Sequence, residues 1–206
     1  ERVEAMLPGI SGLWVSTFHS MCARILRREI EALEGYTRDF SIYDTSDRNA
    51  LLKKLIKELN YDIQQFRPVV LGGWISNIKN GMAAEPGEFS LEGGEGMEDE
   101  VFRKVWKRYE QAMRDNNALD FDDLLVKTLE LFDQHPGIRD AYSRRFRYVM
   151  VDEYQDTNRL QAELIDLLGA RHKNVMVVGD DSQSIYSWRG ANFKNILEFP
   201  KRYPGT

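Results

Sequence analysis

Two short apolar runs near the C-terminal end, each closing on carboxylates, constrain this chain more than any other feature. Tyr148-Val149-Met150-Val151 leads into Asp152-Glu153-Tyr154-Gln155. Val175-Met176-Val177-Val178 leads into Gly179-Asp180-Asp181-Ser182-Gln183-Ser184-Ile185-Tyr186-Ser187-Trp188-Arg189-Gly190. Runs of this length, bounded by polar residues, predict buried strands of a parallel sheet, and ligands bind where such strands end. Between them, Asn158 or Thr157 can cap a helix bearing Leu160, Gln161, Leu164, Ile165 and Leu168. The succession is a strand-helix-strand unit of α/β class, expected to be right-handed.

The chain has 206 residues, 42% of them apolar and 30% charged, as in an ordinary globular protein with one large or two small cores. No apolar stretch approaches the ~20 residues that cross a bilayer. One cysteine, Cys22, excludes an internal disulfide and suits a reducing cytosol. With His19, His135 and His172 scattered around it, no zinc-ligand spacing occurs. The opening Glu1-Arg2-Val3-Glu4 carries neither an initiator Met nor a signal-peptide pattern, so a cytoplasmic piece of a longer protein is expected. A net charge of -5 argues against holding DNA by bulk charge alone, but leaves room for a groove that grips a strand by stacking. Much of the acid lies between Glu85 and Glu100, a Gly-rich stretch that reads as a flexible surface loop.

Upstream, Leu13-Trp14-Val15-Ser16-Thr17 reads as a strand, followed by a helix with Phe18, Met21, Cys22, Ile25 and Leu26 on one face. From about residue 41 the texture becomes helices only. Thr45-Ser46 can cap a helix carrying Leu51, Leu52, Leu55, Ile56 and Leu59, and a second runs near Val69 to Asn80, weakened by Gly72-Gly73. A third turns Val101, Phe102, Val105, Trp106, Tyr109 and Met113 inward, with Arg103, Lys104, Lys107 and Arg108 outward. Asp120 caps a fourth, which His135-Pro136-Gly137 stops. The simplest organisation is a parallel-sheet domain in two parts, 1–40 and 141–206, interrupted by a helical insertion at 41–140.

Several residues carry chemistry under one reading and none under another. Asp152-Glu153 can hold Mg2+ with one carboxylate and orient or deprotonate an attacking water with the other; acidic pairs also end many strands simply because strands surface there. Gln183 can hydrogen-bond a terminal phosphate without adding charge. Tyr186, Trp188 and Arg189 suit a splayed nucleic acid strand, since base stacking on aromatics tolerates any sequence; the alternative is a core Trp. Thr17, Phe18 and His19, where strand gives way to helix, suit a phosphate and a base, or else are a capped helix with a core Phe. His19 reads as a hydrogen-bonding element rather than a base. Phe121, within Asp120-Phe121-Asp122-Asp123, is equally two-sided.

Together, Val15 to Ser20, Leu119 to Leu124, Val151 to Thr157 and Val177 to Ala191 resemble the UvrD/Rep/PcrA family of superfamily 1 DNA helicases, over nearly the whole chain. The resemblance implies most of a first RecA-like motor domain: a partial parallel sheet with helices on both faces, interrupted by an all-helical subdomain. It implies ATP and Mg2+ as cofactors, Asp152 on the metal, Glu153 as catalytic base and Gln183 as sensor of the γ-phosphate. Thr17, Phe18, His19, Phe121, Tyr186, Trp188 and Arg189 would line the path of single-stranded DNA. Single-stranded DNA, single/double-strand junctions and the rest of the helicase chain are the implied partners, in repair or replication. No Gly-Lys pair occurs anywhere, so the phosphate loop is missing from these residues; the resemblance implies that it lies upstream and that the second motor domain follows Thr206, so residues 1–206 alone would be inactive. A non-hydrolysing module that merely holds single strands is the competing reading.

Overall fold

A computed structural model describes residues 12–82, 97–180, 182 and 194–204. The chain is mixed α/β, with eight α-helices and two parallel strand pairs among the described residues, consistent with a partial RecA-like fold. Strand β1 (Ser41–Tyr43) pairs with β2 (Ala118–Asp120), Ile42 opposite Leu119. Strand β3 (Val149–Val151) pairs with β4 (Val175–Val177), Met150 opposite Met176. The first pair overturns the expectation of helices only after residue 41. Three-residue strands are too short to print a period-two pattern, and Asp120 advertises itself as a helix cap rather than as a strand end.

Local chemistry starts most helices. Thr17 caps α1 (Phe18–Glu29), its hydroxyl oxygen accepting the Ser20 N–H at 3.3 Å. Asp44, one residue before the expected Thr45-Ser46, caps α2 (Thr45–Glu58) in a reciprocal box with Asp47. Pro68 opens α3 (Pro68–Lys79), which runs unbroken through Gly72 and Gly73. A β-carbon on Gly72 would lie 3.0 Å from Arg48 Nε, so the Arg48 side chain would have to shift to admit one. Helix α4 spans Met97–Asp115. Asp120 and Asp123 box the start of α5 (Phe121–Gln134), and Asn158 and Gln161 that of α7 (Arg159–Gly169). Between them, His135-Pro136-Gly137 both stops α5 and starts α6 (Pro136–Arg145), because a proline lacking an N–H is well placed at a first helical position. Helix α8 (Lys194–Arg202) follows β4.

Three apolar clusters hold these elements. The first packs Cys22, Ile25 and Leu26 of α1 against Leu124, Leu125 and Phe132 of α5, with Tyr142 and Leu164 from α6 and α7. The second joins Leu52, Leu55 and Ile56 to Leu71 and Ile75 and to Phe102, Val105 and Tyr109. The third gathers Val151, Tyr154, Ile165 and Phe199 beneath β3 and β4. Gly169 lets the end of α7 meet β4, since a β-carbon there would lie 2.5 Å from Val175 Cγ2.

Two strand expectations change. Leu13 to Thr17 form no ladder among the described residues, and Leu13 and Val15 are exposed; an extended segment becomes a strand only when a neighbour takes its N–H and C=O groups. The strands β3 and β4 are buried on one face rather than two. Their valines point into the third cluster, while Tyr148, Met150, Met176 and Val178 are exposed at 71%, 73%, 54% and 49%.

Candidate functional site

The ladder between β3 and β4 carries the first part of the site. Val178 N–H donates to Val151 O at 2.8 Å and Tyr154 N–H to Val178 O at 2.9 Å. Asp152 and Glu153 sit between these two bonds with both side chains exposed. Asp152 Oδ1 accepts the Glu153 N–H at 3.0 Å. Glu153 has φ 52 and ψ 43, a left-handed conformation that costs a residue with a β-carbon of order 1–2 kcal/mol. Its surroundings impose that shape. Tyr154 is fully buried edge-on to Phe199, Thr157 Oγ1 donates to Tyr154 O at 2.6 Å, and Asn195 Nδ2 donates to Thr157 O at 2.9 Å.

A further polar residue joins the two strand tips. Gln155 is 1% exposed. Its Nε2 donates to Glu153 Oε2 at 2.7 Å, and its Oε1 accepts the Asp180 N–H at 3.1 Å. Asp180 in turn accepts from Ser182, N–H at 3.0 Å and hydroxyl at 2.5 Å, in a tight turn beyond β4. The predicted site residues Gln183, Tyr186, Trp188 and Arg189 lie outside the described residues.

Magnesium fits Asp152 on donor chemistry. No cluster of three or more His, Cys, Asp or Glu side chains able to hold a metal occurs among the described residues. A single exposed carboxylate beside a strand end is nonetheless how Mg2+ is met in phosphate-transfer sites, where waters and substrate phosphates complete the shell.

The second part of the site lies where α1 runs along α5. Thr17 is exposed at the start of α1, and Phe18 and His19 are half-buried in its first turn. Phe121 opens α5 and is 51% exposed. His19 and Phe121 meet edge to face at 5.7 Å. Burial lowers the His19 pKa, Asp122 opposing, which favours neutral imidazole. Phe18 packs against the first and third clusters and so shares the core role that sequence left open. Burial pushes the Cys22 thiol up to about 12, leaving it as packing.

Lys79, unremarked in the sequence, and Tyr109, read there only as facing inward, hold the start of α5 where Phe121 sits. Lys79, at the end of α3, is 6% exposed and contacts Asp120 at 2.9 Å, Asp123 at 2.8 Å and Glu110 at 3.1 Å. Tyr109 adds its hydroxyl to Asp120 at 2.8 Å. The adjoining Asn80 donates to Asp122 Oδ1 at 2.8 Å and accepts from Asn158 Nδ2 at 3.0 Å. Asn158 caps α7, five residues beyond Glu153, so one amide bridges the two parts of the site. The only sequence signal was Lys79 as the one charged residue of α3. On α4, Lys104 pairs with Glu100 and Arg108 lies near Glu58, so part of the outward basic face is balanced by acid. A groove of about 320 Å³ between α5, α6 and α7, lined by Val126, Glu130, Arg139 and Glu163, contains none of the predicted site residues.

Residues 1–204 match the UvrD/REP helicase N-terminal domain, and the chain belongs to that family. Among its relatives, the ATP-dependent DNA helicase PcrA of Bacillus subtilis is 49% identical over 207 residues, covering 100% of this chain and 28% of that protein. The ATP-dependent DNA helicase PcrA of Leuconostoc citreum is 43% identical over 208 residues, 100% of this chain and 27% of that protein. That of Staphylococcus aureus is 43% identical over 192 residues, 93% and 26% respectively. The chain thus spans roughly a quarter of the length of these curated relatives. No helix among the described residues is long and apolar enough to cross a membrane.

Proposed function

We propose that this chain is the nucleotide-hydrolysing and strand-gripping part of an ATP-dependent DNA helicase that couples ATP hydrolysis to translocation on single-stranded DNA and to duplex unwinding. The observation that carries it is Glu153: an exposed carboxylate in a strained left-handed conformation, clamped on both sides at the tip of a parallel strand. Strain of that kind persists only where the surrounding structure enforces it, and it clusters at functional sites.

In this reading Asp152 holds Mg2+, which neutralises charge developing on the phosphates when bound. Glu153 orients the attacking water and takes its proton, and Gln183 reads the terminal phosphate. Thr17, Phe18, His19 and Phe121 line the strand path on one side, and Tyr186, Trp188 and Arg189 on the other. The domain plan of 1–40, 141–206 and a helical insertion at 41–140, the single/double-strand junction as substrate, a cytoplasmic location and a repair or replication role belong to the same reading. In this reading a phosphate loop comes from outside residues 1–206, which contain no Gly-Lys pair, and the second motor domain that the family resemblance implies lies outside them too. A module that only holds DNA has no need of a strained carboxylate at a strand tip.

The test uses the full-length protein containing this segment. Glu153→Gln is expected to abolish Mg-dependent ATP turnover while nucleotide and oligo-dT binding persist, and residues 1–206 alone are expected to show no turnover. Undiminished hydrolysis by Glu153→Gln would refute the reading.

A further inference from the structure

We propose that Gln155 is the positioning residue for Glu153, fixing the direction in which its carboxylate faces the attacking water. The inference rests on the reading of Glu153 as the water-activating base and adds a residue to it.

The argument begins with burial. A primary amide 1% exposed must satisfy both of its ends within the protein. A backbone N–H can only donate, so the contact from Asp180 N at 3.1 Å fixes Oε1 on that side. The NH2 group is then forced toward Glu153 Oε2, 2.7 Å away. The orientation of the amide is therefore imposed by the main chain and not chosen by the carboxylate. A hydrogen bond to an ionised carboxylate is short and strong, and it pins one oxygen, leaving the other to accept a proton from water.

Gly179 supplies an independent observation. A β-carbon there would lie 2.4 Å from Gln155 Oε1 and 3.2 Å from Gln155 N, closer than any real contact to the first. The φ of Gly179 is not in the left-handed region, unlike that of Gly35 or Gly81. Space, not backbone freedom, is what keeps a larger residue out. The chain leaving β4 is thus pressed against the amide that holds the carboxylate.

Orientation is worth much more to a reaction than to binding, since a misplacement of ~1 Å can cost on the order of 100-fold in rate. The experiment compares three variants of the full-length protein under saturating Mg-ATP. Glu153→Gln comes first: if it keeps turnover, the reading of Glu153 fails and Gln155 has nothing to position. With Glu153→Gln inactive, Gln155→Met is expected to lower kcat by roughly 10- to 100-fold, leaving the Kd for a fluorescent ADP analogue within about twofold of wild type. A merely structural role would lower active protein and nucleotide affinity together. Gly179→Ala retains Gln155 but displaces its amide, and is expected to give the same selective loss of kcat. It decides the matter if Gln155→Met does not fold. A folded variant of either kind with wild-type kcat would overturn the proposal.

Discussion

Phe121 and Leu124 lie three residues apart on one helix and show how position, rather than residue type, divides core from surface. Phe121 is half-exposed beside His19, whereas Leu124 is buried among Leu125, Phe132 and the side chains of α1. Phe121→Ala is expected to weaken oligo-dT binding by the ~1–3 kcal/mol of one stacked base, roughly 5- to 150-fold, as titrated by fluorescence anisotropy. Its unfolding midpoint in urea should barely change, since exposed substitutions fall within about 0.5 kcal/mol. Leu124→Ala should do the reverse, costing about 2–5 kcal/mol of stability. The pattern of apolar residues placed both on the same helix; it left Phe121 with two roles, because a residue at a helix start can face either inward or outward.

At the scale of elements, Lys79 is the node that docks α3 and α4 onto β2 and α5. One buried cation meets three carboxylates there, so removing it leaves buried charge without compensation. Lys79→Met is expected to destabilise the fold by about 3–5 kcal/mol in denaturant titration. The same node gives a pH dependence. Burial pushes the Asp123 carboxyl up to about 7, Lys79 pulling the other way and Asp120 and Glu110 reinforcing the rise. Burial acts likewise on Asp120, but Lys79, the Asp123 N–H and the Tyr109 hydroxyl bring it below the usual carboxylate range. Asp123 therefore takes its proton more readily folded than unfolded. It favours the fold below its ordinary value near ~4, and that contribution is lost as pH rises through about 7. The contribution of Asp120 has the opposite sense, lost as pH falls below the ordinary range. Wild type should accordingly lose stability between pH 5 and pH 8 that Asp123→Asn does not; equal slopes for the two would contradict this. None of it was legible in advance, because Lys79, Glu110, Asp120 and Asp123 meet only once four elements have packed.

Across the whole molecule, the open face of β3 and β4 is the feature that most affects behaviour in solution. Tyr148, Met150, Met176 and Val178 form a contiguous apolar strip on residues 1–206, and exposed apolar sheet surface promotes association. Residues 1–206 alone are expected to self-associate in analytical ultracentrifugation, and Met150→Lys with Met176→Glu to restore the monomer. What the sequence by itself determined was local. The capping residue Asp120, the choice of Asn158 or Thr157 as cap of α7, the inward face of α4 and the strand-helix-strand unit whose first strand leads into Asp152-Glu153 follow from spacing and hydrogen-bonding chemistry within a few residues. So does the family resemblance, which rests on linear motifs. What only the tertiary structure decided was anything needing a partner distant in sequence: that Leu13 to Thr17 pair with no strand among the described residues, that Ser41 to Tyr43 do, that Lys79 becomes a buried node, and that Gln155 spans two strand tips. Burial and pairing are properties of the assembled neighbourhood, and a residue's own type does not specify which groups the fold will bring within 3 Å of it.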